Sequence, residues 1–391
     1  MSTKCPLAGL RVVELARILA GPWIGQTLAD LGADVVKVES PEGDDTRKWG
    51  PPFVRDADGK DADAAYFHSC NRGKRSIVAD FTTPAGRDVV CRLAQRSDVL
   101  IENFKVGGLA KYGLDYDSLK DTNPRLIYCS VTGFGQTGPY AARAGYDFIV
   151  QGMSGIMDLT GEADGPPEKI GVACADIFTG LYGTTAILAA LNHRERTGLG
   201  QHIDMALLDS MVGVLANQGM NYLVSGRVPH RLGNAHPNIV PYQVFDVSDG
   251  QVIIAVGNDG QFEKLCGYLG EPSLARDPRF AANAARVRHR EELVPRLAAL
   301  LAGLTRGGVL AAMEARGIPA GPINDLQNVF ADPQVTHRAL VSHLPAPWSQ
   351  DGTIPTLRTP IRFSAADLNL TRAAPRLGEH TDEVRIELGL P

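Results

Sequence analysis

The sequence predicts an α/β protein: a large domain built on a Rossmann-like parallel sheet, and a smaller α+β domain after it. Three observations predict this. Short β-branched runs alternate with stretches of helical spacing over the first two hundred residues, the mark of βαβ units. The composition then shifts after about residue 226, where SGRVPHRLGNAHPNIVPYQ carries Pro, Gly, His and Asn without any period. Finally, a chain of 391 residues is too long for one small core.

The elements follow in order. LRVVELA (10–16) is the first strand, and GPWIGQTLADLGA continues it with Trp23, Leu28 and Leu31 at helical spacing. DVVKVES (34–40) and RSIVADF (75–81) are the next strands. TPAGRDVVCRLAQRS (83–97) is a helix with Pro84 in its first turn. DVLIENF (98–104), RLIYCSV (125–131) and QHIDMAL (201–207) complete six strands, joined by right-handed crossovers. The large domain spans 1–226. A small domain follows over 227–330, with a hairpin turning at Ser248-Asp249-Gly250 and helices in EELVPRLAALLAGL and GGVLAAMEARG. Beyond about 340 the chain is Pro-rich, with a β-like piece, TLRTPIRFS, and a final short helix in EHTDEVRIELGL.

The bulk properties exclude several functions. The net charge of −5 is spread without a basic block, which argues against nucleic-acid or membrane-surface binding. Six cysteines (Cys5, Cys70, Cys91, Cys129, Cys174, Cys266) form no CxxC pair, so neither a zinc site nor a disulfide framework is expected. MSTKCPLAGL lacks a signal-peptide core, and no apolar stretch is read as reaching the ~18 residues of a membrane span. The expectation is a cytoplasmic protein. No GxSxG, HExxH or DxDxDG pattern suggests a serine hydrolase or a metal centre.

Candidate sites each have an ordinary alternative. GFGQTG (133–138) matches GxGxxG, but Pro139 follows where a dinucleotide site needs a helix to open; a glycine-rich turn is the better reading. In LARILAGPWIGQ, Arg17 and Ala20 sit at the carboxyl end of a strand, where ligands of parallel sheets bind; a solvated loop arginine is equally consistent. Arg72, Lys74 and Arg75 in CNRGKRS, with Asn103, Lys105 and Lys111 in ENFKVGGLAKYG, make two basic clusters suited to a polyphosphate. His236 lies in a polar loop as an acid/base candidate or an ordinary histidine. In GVACADIFTG (171–180) a lone carboxylate, Asp176, stands at the mouth of an apolar helix. Capping is the simplest role. However, Gly180 and Gly183 inside that helix call for close approach of a backbone or a ligand, and a carboxylate held ionised at a helix N-terminus can act as a nucleophile.

Several segments together resemble the class III CoA-transferases, the CaiB/BaiF family. They include PLAGLRVVELARILAGP (6–22), LADLGADVVKVESPEGDDTR (28–47), NRGKRSIVADFTTPAGR (71–87), DVLIENFKVGGLAKYGLDY (98–116), GVACADIFTGLYG (171–183), RTGLGQHIDMALLDS (196–210), GIPAGPINDLQNVFADPQV (317–335) and LGEHTDEV (377–384). The resemblance runs in order over essentially the whole chain. It implies transfer of CoA from an acyl-CoA to a free carboxylate, with Asp176 as the nucleophile that passes through an aspartyl–acyl anhydride and an aspartyl-CoA thioester. It places the CoA contacts at Arg17, Ile18 and Ala20, and at Asn103, Phe104, Lys105 and Lys111, with Arg72 and Tyr146 beside them. No permanently bound cofactor is implied, only a coenzyme A thioester as substrate. The family forms interlocked homodimers, and its large domain is completed by the C-terminal segment, here 331–391. Gly145-Tyr146-Asp147 stands where the racemase branch has a histidine, which argues against the alternative of a 2-methylacyl-CoA racemase. A silent acyl-CoA-binding protein, with Asp176 only a cap, is the other alternative. GNAHPNIVPY lacks the glycine run of the formyl-CoA:oxalate branch and looks more like members using succinyl-CoA and dicarboxylic acids.

Overall fold

A computed structural model describes residues 4–390, which divide into two compact units. The first comprises 4–156, 169–226 and 334–390; the second comprises 157–168 and 227–333.

The first unit is built on six parallel strands: β1 Arg11–Glu14, β2 Asp34–Glu39, β3 Arg75–Val78, β4 Val99–Glu102, β5 Ile127–Thr132 and β6 Gln201–Ala206. Their spatial order is β3-β2-β1-β4-β5-β6, with Val13 beside Val36 on one side and Leu100 on the other. The chain first winds outward from β1 through β2 to β3, then returns to β4 and winds the opposite way. A crevice therefore opens at the carboxyl ends of β1 and β4, where a doubly wound sheet binds its ligands.

Alternation along each strand feeds two cores. Val12, Val35, Val99, Ile101 and Ile127 face α1 (Ala20–Asp30). Val13, Val36, Leu100 and Tyr128 face α2 (Pro84–Arg96), whose Val89, Val90 and Leu93 are buried. Thr83 caps α2 by accepting the Gly86 N–H, with Pro84 in the first turn as expected. Next come α3 (Asp147–Met153) and the long α4 (Cys174–Thr197). Gly180 and Gly183 do mark a close approach, and the neighbour is α1. A Cβ at Gly180 would lie 3.0 Å from the Trp23 Cβ, and one at Gly183 would lie 2.5 Å from the Ile24 Cδ1. The two helices thus pack against each other at their N-terminal turns. The other side of α4 leaves Phe178, Leu181, Tyr182 and Leu188 exposed. By length and composition this 24-residue helix is apolar enough to cross a bilayer, which corrects the reading that no stretch in the chain was long enough. The Thr and Asn residues inside it hide its mean hydropathy from a count of uninterrupted apolar residues.

GFGQTG is a turn and opens no helix. Gly135 and Gly138 have φ of 87° and 90°, and a Cβ at Gly133 would sit 2.5 Å from the Gly145 Cα. The C-terminal segment belongs to this unit. Val341–Pro345 pairs with Thr353–Leu357, while the rest of TLRTPIRFS is irregular. The closing helix, Thr381–Glu387, docks beside β3. There the Thr381 hydroxyl accepts the Val78 N–H, and Arg75 joins Glu383 and Glu387.

In the second unit, Tyr242–Val247, Gly250–Ala255 and Ala320–Pro322 form an antiparallel sheet. Phe245, Val252, Phe262, Leu293, Leu297 and Val309 fill its core with the surrounding helices. Residues 157–168, which the sequence reading assigned to the large domain, pack here. Arg231 holds them by reaching the Asp158 carboxylate and the Gly165 carbonyl.

Candidate active site

Arg17, Ile18, Ala20, Asn103, Phe104, Lys105, Lys111, Tyr146 and Asp176 all line one cavity of ≈ 560 Å³ at the carboxyl ends of β1 and β4.

Its floor is the loop between β1 and α1. The Asn103 side chain clamps this loop at two points: its oxygen accepts the Arg17 N–H at 2.9 Å, and its amide donates to the Arg17 carbonyl at 2.6 Å. Ile18 then adopts φ of 72°, a left-handed conformation that costs a β-branched residue on the order of 1–3 kcal/mol. Asp44 holds it there by accepting the Ile18 N–H with both oxygens. Asp44 is itself anchored by buried charge. Lys37 reaches Asp44 at 2.9 Å, Glu14 at 3.2 Å and the Ala16 carbonyl at 2.8 Å, and Lys74 reaches Glu14 at 2.9 Å. Glu14, Lys37 and Lys74 are fully buried, so their charges are tolerated only because each is paired. Strain in the loop is thus supported by a packed ionic layer beneath it.

Asp176 occupies the third position of α4 and is half-buried. It does not cap its own helix. Ala173 is the N-cap and makes no side-chain bond, and the free Ala175 N–H is taken by Asp147, at 2.8 Å. Asp176 instead accepts the Ala20 N–H from the first turn of α1. The expectation that a helix dipole keeps it firmly ionised also fails. Burial, helped by the nearby Asp147 charge, pushes its carboxyl up to about 7 against the pull of the Ala20 N–H. At neutral pH it is therefore partly protonated, and its carboxylate is unusually basic, which favours nucleophilic attack.

Asp147 is the residue that sequence reasoning missed, although the Gly145-Tyr146-Asp147 triplet contains it. Its two oxygens accept from the Ala175 N–H and from the Gln151 amide. Asp147→Asn keeps an acceptor for Ala175 but removes the like charge. The acid limb of the pH–rate profile, which rises through about pH 7 as Asp176 ionises, is expected to move to lower pH by roughly half a unit to one unit. Initial rates measured between pH 5.5 and 8.5 check this.

The outer wall is aromatic and basic. Phe81 contacts Phe104 and Tyr112 edge-on at 5.6 and 5.3 Å. Arg17 lies 5.7 Å from the Phe104 ring, and Lys111 lies 4.8 Å from the Tyr112 ring. A planar heterocycle can stack there with its phosphates facing Lys105 and Lys111. Phe81, Tyr112 and Arg143 also line the cavity, and nothing in their local sequence distinguishes them.

The CNRGKRS cluster is a correction. Arg72 is buried, pairs with Asp30 and donates to the Leu357 carbonyl. Lys74 is used by Glu14, and Arg75 by Asp34, Glu383 and Glu387. These cations neutralise acids from distant parts of the chain and do not face the cavity. In the second unit, His236 accepts the Asn238 N–H and its ring lies against Tyr242. Among the described residues no cluster of three or more His, Cys, Asp or Glu side chains is placed to hold a metal ion.

The family model described as CoA-transferase family III matches residues 7–381. A succinate–glutarate CoA-transferase of Agrobacterium fabrum is 60% identical over 387 residues, which is 98% of this chain and 96% of that protein. A succinyl-CoA:glutarate CoA-transferase of Homo sapiens is 41% identical, covering 99% of this chain and 87% of that protein. Among solved structures, a CaiB/BaiF family protein from Brucella suis is similar with a TM-score of 0.87 and 63% identity, over 99% of this chain and all of that one.

Proposed function

Because this chain belongs to CoA-transferase family III, we propose that it moves coenzyme A from succinyl-CoA to a free dicarboxylic acid such as glutarate, with Asp176 as the covalent relay. The observation that carries this reading is the half-buried Asp176 carboxylate on the Ala20 N–H, inside a cavity walled by Lys105, Lys111 and Phe104. The donor and acceptor classes rest on relatives that act on succinate and glutarate as CoA partners.

In this mechanism the Asp176 carboxylate attacks the donor thioester carbonyl. The C–S bond breaks, giving a mixed aspartyl–acyl anhydride and CoA thiolate. The thiolate adds to the aspartyl carbonyl and expels the free acid, leaving an aspartyl-CoA thioester. The acceptor carboxylate attacks that thioester, and the thiolate then attacks the acceptor's carbonyl in the new anhydride, freeing Asp176. The Ala20 N–H addresses the aspartyl carboxyl group itself. It is positioned to stabilise the oxyanion formed whenever a nucleophile adds to that carbon. Lys105 and Lys111 bind phosphates, and the Phe81–Phe104–Tyr112 wall carries the adenine.

The first unit is read as the CoA-binding one, and the enzyme as cytoplasmic. A second copy of the chain, interlocked with the first, is the proposed partner. The exposed Phe148, Ile149, Phe178, Leu181 and Tyr182 near the cavity support an apolar contact of that kind. The test incubates the species whose mass in solution is that of two chains with succinyl-CoA and a panel of mono- and dicarboxylic acids. New CoA thioesters are expected, fastest with dicarboxylates. If no thioester forms, and the α-hydrogen of a 2-methylacyl-CoA exchanges with solvent deuterium instead, the transfer reading is wrong.

A further inference from the structure

Among the buried carboxylates that the mechanism above does not use, Glu102 stands apart. Glu102 ends β4, immediately before Asn103, Phe104 and Lys105. It is buried, yet among the described residues no cation pairs with it. Its Oε2 accepts the Phe104 N–H at 2.8 Å, and it bonds the hydroxyl of Ser130, its register partner on β5. The Ser130 Oγ lies 2.9 Å from His202 Nε2. His202 is on β6, exposed to solvent and stacked on Tyr116 at 5.3 Å. A buried carboxylate with no counter-ion is costly. Here one would expect an amide or an apolar residue unless the charge serves the loop.

We propose that Glu102 is a positioning residue for acyl-CoA binding: it holds the Asn103–Lys105 loop through the Phe104 amide, and the Ser130–His202 chain lets it exchange a proton with solvent, so that its charge state sets how tightly the loop is held. The inference rests on the CoA-transferase reading of the cavity.

The proton path balances through existing bonds. With Glu102 ionised, the Ser130 hydroxyl donates to the carboxylate and accepts from His202 Nε2–H. A proton arriving at His202 Nδ1 lets Nε2–H pass its proton to Ser130, which passes its own to Glu102. The chain ends with Glu102 protonated, Ser130 donating to His202, and the imidazole neutral in its other tautomer. The groups around this chain fit the role. β5 brings the neutral Tyr128 phenol and Cys129 thiol close to Glu102; Asp115 acts on Tyr128, and Asp204 and Asp117 act on His202. Burial pushes the Glu102 carboxyl up to about 7, against the Ser130 and Phe104 hydrogen bonds. Its charge therefore changes within the working range of pH. An ionised acceptor holds an N–H about twice as strongly as a neutral one, so the loop is held best above pH 7.

The test measures coenzyme A affinity by calorimetry at pH 6.0 and pH 8.5, in an Asp176→Asn background that removes the nucleophile's own titration. Glu102→Gln keeps an acceptor for Phe104 but no charge. It is expected to match the parent within about twofold at pH 6.0 and to bind at least about fivefold more weakly at pH 8.5. Glu102→Ala removes the acceptor and should bind at least tenfold more weakly at both. The Phe104 amide resonance should titrate near pH 7 in the parent and stay fixed in Glu102→Gln. A Gln-to-parent affinity ratio that is the same at both pH values, or a Phe104 amide that titrates equally in both, overturns the proposal. If Glu102→Ala does not fold, the Gln comparison still decides. If the parent binds no coenzyme A at either pH, the CoA-transferase reading falls and takes this inference with it. Normal binding with a flat ratio sinks only the role of Glu102.

Discussion

Asp176→Ala is expected to lower CoA transfer by about 10³-fold or more while leaving coenzyme A affinity within roughly threefold. The carboxylate takes part in every step of the proposed cycle, whereas that cycle assigns the phosphates and adenine to Lys105, Lys111, Phe104 and Tyr112, which line the same cavity. Asp176→Glu keeps the charge but moves the carboxylate by one methylene away from the Ala20 N–H. It is expected to lose about 10²-fold, because displacements near 1 Å are felt on that scale. Two measurements check this: initial rates of thioester formation, and mass analysis after hydroxylamine is added to enzyme incubated with succinyl-CoA. The second should find a hydroxamate on the peptide that carries Asp176. Full activity in Asp176→Ala would sink the covalent relay and leave Asp176 a structural residue.

Lys37→Met is expected to cost about 3–5 kcal/mol of stability, the usual result of stripping one partner from a buried ionic cluster. In thermal unfolding this reads as a fall in Tm of roughly 5–10 °C. Lys37 is shared by Glu14 and Asp44. Without it Glu14 keeps Lys74, but Asp44 loses its direct cation. Burial alone would push the Asp44 carboxyl up, and in the native protein Lys37 and the Thr46 hydrogen bonds together more than reverse that, so it lies below its ordinary value. An acid depressed in the folded state adds stability above its unfolded pKa, and that stability is lost as pH falls through the folded one. With Lys37 gone the Asp44 carboxyl rises, and the stability that its depressed value supplied above the unfolded pKa is lost. The deficit should therefore be larger at pH 8 than at pH 5. The second readout is functional: Asp44 also holds the Ile18 N–H, so the KM for succinyl-CoA should rise by about tenfold. Unchanged stability at both pH values would show that the ionic layer does not carry the loop.

The strands and α2 were legible because each is local: a β-branched run of four to six residues, or a helical spacing behind a Thr-Pro start. That the loops at the ends of β1 and β4 line a cavity was legible because a parallel sheet leaves its strands' carboxyl ends open. What the sequence hid was pairing across long separations. Arg72 looks like a free cation until Asp30 and the Leu357 carbonyl are seen around it. Asp176 looks like a cap because capping is a one-turn pattern. Its true donor, Ala20, is 156 positions earlier, and the residue that serves its helix, Asp147, lies on another helix. Ile18 gives no hint of its left-handed backbone, since β-branched residues ordinarily avoid it. The strand order, which makes β1 and β4 neighbours, follows from crossover direction and leaves no local mark. Glu102 reads as one more strand-end acid until its lack of a cation is seen.

The close approach at Gly180 and Gly183 has a kinetic meaning. It fixes two backbones, so the donor at Ala20 and the acceptor at Asp176 are both part of the scaffold. Neither has a long side chain to reorient as charge moves from carboxylate to oxyanion and back. In the proposed cycle the polar surroundings of the aspartyl carbon are in place before any substrate arrives, and little solvent-like rearrangement remains to be done at the two additions to that carbon. In the proposed cycle the same peptide group would serve both additions to the aspartyl carbon, so forward and reverse half-reactions would meet the same environment. An enzyme working in that way sets how fast the two acids exchange coenzyme A. The direction is left to their relative amounts.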